Sequence, residues 1–127
     1  MVEFVASFIY AANGDHDRRS LWSNLVSFSS QMNHLPWIVL GDFNIVLVPS
    51  GISGGDFRLI PAMDDFQNCM FASGLDDLRF SGNFFTWSNL QQDENCTCRK
   101  LERVLVNENW LHTFPNCFAN FMGLWDL

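Results

Sequence analysis

The sequence predicts a layered α/β domain. Segments rich in β-branched and aromatic residues alternate with segments whose apolar residues recur at helical spacing, and the apolar strands end in polar loops. The chain has 127 residues, which is enough for one domain and not comfortably for two. In folds of this class, ligands gather where the carboxyl ends of strands meet loops. Polar residues at strand ends are therefore the first candidates for a site.

The first third of the chain predicts two strands and one helix between them. Residues 3–10 have no Gly or Pro and many aromatic and β-branched side chains, which favours a strand. A polar loop follows, in which Asp15 or Asp17 can cap a helix over residues 18–32. Residues 37–40 form a fully apolar run typical of a buried strand. The helix is expected to turn Leu21, Trp22, Leu25 and Phe28 inward.

The rest of the chain predicts a second helix and several shorter elements. Residues 49–55 are rich in Gly, Ser and Pro and predict a loop. A helix over 62–72 begins after Pro61 and ends before Gly74, because Gly favours the turn that closes a helix. Its inward side chains are expected to be Met63, Phe66 and Met70. The remaining predicted elements are strands over 75–78, 84–87, 101–106 and 117–122, a polar loop over 91–95 and a short helix over 107–114.

Composition narrows the function classes. Hydrophobic residues make up 48% and aromatic residues 15% of the chain, so a large aromatic core must form or sticky surface is exposed. The net charge is −7, from seven basic and fourteen acidic residues. This balance argues mildly against tight nucleic-acid binding by the chain alone. It is compatible with a metal-assisted phosphodiesterase, since divalent cations bind carboxylates.

Cysteine usage and the amino terminus bear on location. The spacing of Cys69, Cys96, Cys98 and Cys117 is irregular, which favours reduced thiols and an intracellular protein. The Cys96–Cys98 pair with His112 matches no common zinc spacing. No apolar run is long enough to cross a membrane, and the first residues lack the basic start of a signal peptide. A strand of core quality so near the first residue leads us to expect a piece of a longer domain.

The stretch "PWIVLGDFN" (36–44) drives a buried strand directly into an acid and an amide. Asp42 and Asn44 have two interpretations. They can form an Asx turn or cap, as Asp and Asn often do after a strand. Alternatively, two residues two positions apart on an extended segment point the same way, so that the carboxylate can meet a proton or a metal while the amide orients a phosphate or a water.

The chain resembles the endonuclease/exonuclease/phosphatase superfamily, and more narrowly the endonuclease domain of plant LINE-type (non-LTR) retrotransposons. Besides "GDFN", the stretches that carry the resemblance stand in the family's order: "SFIYAANG", "RRSLW", "SGLDDLRFSGNFFTWSN" and "RKLERVLVNENW". The resemblance implies an α/β sandwich of the DNase I-like type, Mg²⁺ as the cofactor and DNA as the partner. It also implies a nuclear location if the chain is expressed as a retroelement product.

The resemblance assigns roles residue by residue. Tyr10 and Asn13 match residues that contact the phosphate region, Asp42 would activate or orient the attacking water, and Asn44 would help to hold the phosphate. Such an in-line attack needs an aligned water and neutralised charge on the phosphoryl oxygens. In "FTWSN", Thr86 looks like a scaffold residue and Trp87 like a substrate-edge residue, although core packing alone would also explain the tryptophan.

Three departures from the family pattern set the expected activity. The family's metal-binding glutamate belongs to an N-terminal half that this sequence lacks. The family's second acid is Glu102 here instead of Asp, while Asp126 matches another aspartate and Leu127 stands where a histidine is expected. The sequence therefore predicts a truncated domain over 1–127, in which Glu102 and Asp126 bind a metal weakly and the chain alone is inactive or nearly so. The alternatives are residual nuclease activity as a dimer and an interaction module that self-associates through an uncovered sheet face.

Overall fold

The computed structural model describes residues 3–11, 14–47, 49–53, 60–90 and 96–122, and within them the chain has a mixed α/β architecture. The helices of this part are α1 (Asp15–Met32), α2 (Ile60–Ser73) and α3 (Glu108–Thr113), and a 3₁₀ turn spans Pro49–Gly51. The strands are β1 (Val5–Tyr10), β2 (Trp37–Asp42), β3 (Ile52–Ser53), β4 (Asp76–Asp77), β5 (Phe80–Gly82), β6 (Trp87–Ser88), β7 (Cys98–Arg99), β8 (Glu102–Val106) and β9 (Ala119–Phe121). None of the described helices is both long enough and apolar enough to cross a membrane.

The main sheet has the strand order β1-β2-β8-β4. β1 runs parallel to β2, which needs a crossover connection, and α1 supplies it. β8 runs antiparallel to both β2 and β4. Two smaller sheets, β3-β7-β6 and β5-β9, extend from it. The carboxyl ends of β1 and β2 thus lie beside the amino end of β8, at one end of the main sheet.

The principal core lies where α1 and α2 pack against one face of the main sheet. Trp22 of α1 stacks on Phe66 of α2 with ring centroids 4.8 Å apart, and Phe66 stacks on Phe43 at 5.2 Å. Trp37 and Val39 of β2 are fully buried below these rings. Met63, Phe66 and Met70 are buried as the helical spacing predicts, and Gly74 ends α2 with a positive φ of 67°. Burying this many large side chains is the main source of stability.

The opposite face of the sheet is covered unevenly. On the β8 side, Val106 packs with Leu78 and with Trp110 of α3 in a second core cluster. On the β1 side, alternate residues point to solvent, so that 79% of Phe8 and 88% of Tyr10 are exposed. Among the described residues β1 is also one of the two edge strands of this sheet. This exposed β1 face is an aromatic surface next to an unpaired strand edge.

Asn107 ties several elements together at the end of the sheet where β2 begins. Its buried side-chain oxygen accepts hydrogen bonds from the backbone N–H groups of Trp37 (3.0 Å) and Trp110 (2.9 Å), the second of which caps α3. Its amide nitrogen donates to the carbonyls of Met32 (3.1 Å) and Leu35 (2.8 Å). One amide therefore joins the end of α1, the start of β2 and the start of α3.

Two expectations for α1 are wrong. The helix begins at Asp15, three residues earlier than the apolar spacing suggests, and its N-cap is Gly14 with no side-chain cap hydrogen bond. Neither Asp15 nor Asp17 is the cap. Phe28, expected inward, is 38% exposed and lies at the edge of the core, where its ring contacts Trp37 at 5.7 Å.

The short strands were the least predictable elements. The expected strand over 84–87 is wrong, since only Trp87–Ser88 pairs in a sheet, and the strand over 75–78 shrinks to Asp76–Asp77. β5, β7 and β3 were not predicted, the last because its two residues fall inside the predicted loop over 49–55. Strands of two or three residues have too few alternating positions for a periodic signal. The predicted loop over 91–95 lies outside the described residues.

Candidate functional site

Three polar side chains form a row across one end of the main sheet, on three neighbouring strands. Tyr10 pairs in register with Asp42, and Asp42 pairs in register with Glu102. Residues paired directly across neighbouring strands point to the same face. The three side chains named by the resemblance are therefore brought to one edge and one face by strand register alone.

Gly41 permits the close approach of β1 and β2 immediately before this row. Its φ is +138°, and a Cβ at this position would lie 2.0 Å from the carbonyl oxygen of Ile9. Any L-amino acid would both strain the backbone and collide with β1. The fold therefore requires the glycine of "GDFN", whatever the chemical role of Asp42.

Asp42 forms the Asx turn of the first interpretation and also lies at the site of the second. Its Oδ1 accepts the backbone N–H of Asn44 at 2.8 Å, and Asn44 takes a left-handed conformation with φ +56°. β2 continues to Asp42, two residues beyond the predicted strand, so Asn44 lies in the turn and not on an extended segment. The expectation that strand geometry makes the two side chains point the same way is wrong, and the turn brings them together instead.

The turn is held from outside by two further contacts. The side-chain nitrogen of Asn44 donates to the carbonyl of Ala11 at 3.2 Å. Arg18, which is buried in α1, donates from Nη1 to the carbonyl of Asn44 at 3.3 Å. Within the described residues, the second N–H of the Asn44 amide has no acceptor and can donate to a ligand. Asn44 is thus fixed in orientation by Ala11, directly after β1, and by Arg18 of α1.

An open cavity of about 430 Å³ lies over this turn. Its lining is predominantly polar and comprises Tyr10, Asp42, Asn44, Trp87, Arg99 and Leu101. We call it the Asp42 cavity. It brings together four of the residues that the resemblance names, including Trp87, which is 43% exposed and lies at the mouth and not in the core.

Arg99 is the residue of this cavity that sequence reasoning missed. Its Nε is buried without a hydrogen-bond partner in the described part of the chain, and its guanidinium lies 5.8 Å from the ring centroid of Trp87. β7 pairs with β6 so that Arg99 stands opposite Trp87. Pairing "FTW" with "CRK" as a hairpin could have placed the arginine beside the tryptophan, but β7 was too short to recognise from the sequence.

Glu102 lies in a neighbouring space and does not line the Asp42 cavity. This second open cavity, also about 430 Å³ and here called the Glu102 cavity, is lined by Asn83, Phe85, Thr86, Glu102, Asn120, Phe121 and Met122. Thr86 joins the two linings, because its Oγ1 accepts the backbone N–H groups of Leu101 (2.9 Å), which lines the Asp42 cavity, and of Glu102 (3.1 Å). Glu102 Oε2 is buried without a hydrogen-bond partner in the described residues.

Lys100 lies behind the Glu102 cavity in an aromatic box. Its Nζ is 3.7 Å from the ring centroid of Phe121, 4.1 Å from that of Phe80 and 5.6 Å from that of Phe84. The residue is 1% exposed, and burial lowers the pKa of its ammonium group to about 8. The rings favour the charged form by cation–π attraction and so oppose part of that effect.

The structure can be tested for a fit to Mg²⁺. The described residues contain no group of three or more His, Cys, Asp or Glu side chains that could hold a metal. Asp42 keeps free lone pairs after its bond to Asn44, and Mg²⁺ in proteins is often held by one or two carboxylates together with substrate phosphates. The residues present therefore fit an ion held jointly with a bound phosphate. Asn13, Asp126 and Leu127 lie outside the described residues, so their assigned roles stay predictions.

Comparison with known proteins supports the class of fold and nothing finer. No protein-family model matches the chain, and no curated protein matches it. Solved structures with a DNase I-like fold do match. The chain is therefore similar in fold to DNase I-like proteins.

Two of these structures are of beta toxin from Staphylococcus aureus. A beta-hairpin deletion mutant of the toxin aligns with a TM-score of 0.56 and 12% identity over 94% of this chain and 42% of the toxin chain. A crystal structure of beta toxin 275-280 aligns with a TM-score of 0.49 and 13% identity, covering 84% of this chain and 36% of that one. The chain thus spans about two fifths of the length of these two structures.

Proposed function

We propose that this chain carries the phosphodiester-binding face of a Mg²⁺-dependent endonuclease of retroelement origin, and that by itself it binds nucleic acid with little or no turnover. The observation that carries the proposal is that Arg99 lines the same cavity as Asp42 and Asn44 and that its buried Nε has no hydrogen-bond partner among the described residues. A buried donor on a charged group costs free energy when it lacks an acceptor. A phosphate oxygen is the acceptor that arginine binds best.

Some residues that line the Asp42 cavity would bind a phosphate, and Asp42 would position the attacking water. Arg99 would bind the phosphate, and the free N–H of Asn44 and the hydroxyl of Tyr10 would donate to its oxygens. Asp42 would orient an attacking water with the lone pairs that the turn leaves free. Asp42 would also hold Mg²⁺ together with the substrate, and the bound ion would neutralise charge on the phosphoryl oxygens.

Little turnover is expected because few of the necessary groups share the cavity. Asp42 is the one carboxylate among its lining residues in the described part of the chain. The family's metal-binding glutamate has no match in this sequence, and Leu127 stands at the position of the family's histidine. A positioned acid or base contributes about 10² to 10⁴-fold in rate.

Oligonucleotide binding tests the proposal directly. We expect Arg99→Met to weaken binding of a labelled 12-nucleotide strand about tenfold at low salt, measured by fluorescence anisotropy, since a charge-assisted contact contributes on the order of 1–3 kcal/mol. Arg19→Met is the matched control, because Arg19 is exposed on α1, where it pairs with Asp65. It removes the same charge away from the cavity. Equal losses in the two variants would contradict the proposal.

Plasmid nicking tests the turnover half of the proposal. We expect the chain to leave supercoiled plasmid largely intact with Mg²⁺ present. Strong nicking that EDTA and Asp42→Asn both abolish would show that the groups present suffice, and the expected inactivity would then be wrong. Nicking that survives Asp42→Asn would point to a contaminating nuclease, and a repeat on re-purified protein would decide the matter.

An interaction module is the second candidate, and the exposed β1 face favours it. Phe8 and Tyr10 stand side by side on an edge strand, where another chain could pair or pack. We expect the chain to self-associate at high micromolar concentration and Phe8→Ser to reduce this, measured by size-exclusion chromatography with light scattering. Phe71→Ser is the control, because Phe71 is 91% exposed on α2. A wild-type monomer at all concentrations would exclude this candidate.

A further inference from the structure

We propose that the Glu102 cavity is a binding pocket for an unpaired guanine base, adjacent to the phosphodiester site. The proposal rests on the proposed function for its biological setting, but the pocket is argued from its own residues. Glu102 lines this cavity, and its Oε2 is buried without a hydrogen-bond partner in the described part of the chain. A buried carboxylate oxygen without a donor costs free energy, so the missing donor points to a ligand that brings N–H groups.

The charge of the lining argues against a second phosphate. Among the lining residues that the structure describes, Glu102 is the one charged side chain, and it is acidic. Lys100 lies behind it, but the Phe80 and Phe121 rings enclose its ammonium group. An anionic ligand would meet the carboxylate first. The part of the ligand that enters this cavity is therefore neutral and carries hydrogen-bond donors.

The walls favour a flat aromatic ligand. Phe85 and Phe121 both line the cavity, and Phe85 remains 38% exposed, which leaves ring surface for stacking. Proteins bind unpaired bases by stacking them on aromatic side chains and by hydrogen-bonding their Watson–Crick edges. Asn83 and Asn120 add two amides, each of which can donate and accept. This combination of ring faces, amides and one carboxylate is suited to a nucleobase.

Among the bases, guanine matches a carboxylate best. Its Watson–Crick edge presents two adjacent donors, the N1–H and the N2 amino group, which one carboxylate can accept together. Uracil and thymine present a single N–H between two carbonyl oxygens that would repel Glu102. Adenine and cytosine present one amino group beside a ring nitrogen acceptor. The Asn83 and Asn120 amides can then serve the remaining acceptors of guanine.

The position of the pocket connects it to the phosphodiester site. Asp42 and Glu102 are paired across β2 and β8, so their Cα atoms are about 5 Å apart. Thr86 lines the Glu102 cavity, and its neighbour Trp87 lines the Asp42 cavity. A nucleotide bound by its phosphate in the one cavity could place a base in the other. The resemblance instead assigns Glu102 to the metal, and the two roles exclude each other.

Nucleoside binding tests the pocket without the phosphodiester site, since nucleosides carry no phosphate. Guanosine, inosine and uridine would be titrated into ¹⁵N-labelled protein, with the side-chain amide signals of Asn83 and Asn120 as the readout. Inosine is guanosine without the 2-amino group. We expect guanosine to bind about tenfold more tightly than inosine, because one charge-assisted hydrogen bond is lost, and uridine to bind more weakly still.

Glu102→Gln supplies the second arm, with Glu108→Gln as its matched control, because Glu108 is exposed on α3. Glu102→Gln should remove the preference for guanosine over inosine, and Glu108→Gln should leave it unchanged. Equal affinity of the wild type for guanosine and inosine, or no binding of either up to about 10 mM, would overturn the pocket and leave the Arg99 result standing. A guanosine preference that survives Glu102→Gln would also overturn it, as would a Glu102→Gln effect confined to Mg²⁺ affinity.

Discussion

The two ends of β2 differ in whether the buried polar side chains there have hydrogen-bond partners. At its amino end, the Asn107 amide makes four hydrogen bonds that join α1, β2 and α3. At its carboxyl end, Arg99 Nε and Glu102 Oε2 are buried without partners within the described residues. Trp110 Nε1 at the amino end is also buried without a partner within the described residues, but it is a neutral donor, whereas both unpartnered atoms at the carboxyl end belong to charged side chains. A fold under selection for stability alone has no reason for the second arrangement, so this end is where a ligand is expected.

The largest loss of stability should come from a change at the amino end of β2, where Asn107 makes its four hydrogen bonds. We expect Asn107→Ala to lower the free energy of unfolding by about 3 kcal/mol, because it leaves buried backbone N–H and C=O groups without partners and removes the cap of α3. Urea unfolding followed by circular dichroism measures this. Asn83→Ala, at an exposed amide, is the control and should change stability by less than about 0.5 kcal/mol. A loss below 1 kcal/mol for Asn107→Ala would remove the contrast between the two ends.

A smaller effect should come from Lys100 as the pH changes. In the folded protein, burial lowers the pKa of Lys100 to about 8, below its ordinary value of 10.5. Between these two pH values the unfolded chain therefore binds more protons than the folded one. Stability should therefore rise with pH across this window, and the cost of burying the charge is complete below pH 8. The charged groups that act on Lys100 are Arg103, Asp77 and Glu102.

The measurement for Lys100 is the difference in unfolding free energy between wild type and Lys100→Met at pH 7 and at pH 10. We expect Lys100→Met to be the more stable protein at pH 7, and the wild type to recover on the order of 2 kcal/mol relative to it by pH 10. The variant corrects for every other group that titrates in this range. A constant difference between the two proteins would mean that the aromatic box fully offsets the burial of the charge.

The smallest change in stability should come from Arg99, near the carboxyl end of β2. Arg99→Met removes a buried donor without a partner, so we expect it to leave the free energy of unfolding unchanged or to raise it by up to about 1 kcal/mol. The same variant should lose oligonucleotide affinity. A stability loss of more than about 1.5 kcal/mol would show that Arg99 serves the fold, and the contrast with Asn107 would fail.

The sequence predicted the long elements and the strand-end acid well for a physical reason. The helices and the strands β1, β2 and β8 bury continuous apolar faces, and such faces leave a periodic signal in the chain. Asp42 was recognised because it follows the buried run over 37–40. The turn that brings Asn44 beside it depends on a left-handed backbone and on the carbonyl of Ala11, far away in the sequence, which no local pattern encodes.

Arg99 and the division between the two cavities could not be predicted. Both depend on β6 and β7, which are two residues long and pair across the segment 91–95. Glu102 pairs with Asp42 across β2 and β8, and the sequence does not show that the two residues line separate cavities. Side-chain neighbours set by short, non-local pairings are the part of a site that a single sequence hides.

Gly41 also bears on how mutational data for this protein would be interpreted. Because a Cβ there would collide with β1 at the carbonyl of Ile9, every substitution should fail, whether or not the protein retains any chemistry. A saturation screen scored by nucleic-acid binding would rank Gly41 with Asp42, although the glycine contributes no side chain to the cavity. A parallel screen scored by abundance would separate them: substitutions at Gly41 would deplete the protein, whereas Asp42→Asn, which keeps an oxygen for the Asn44 turn, would remain abundant while binding changes.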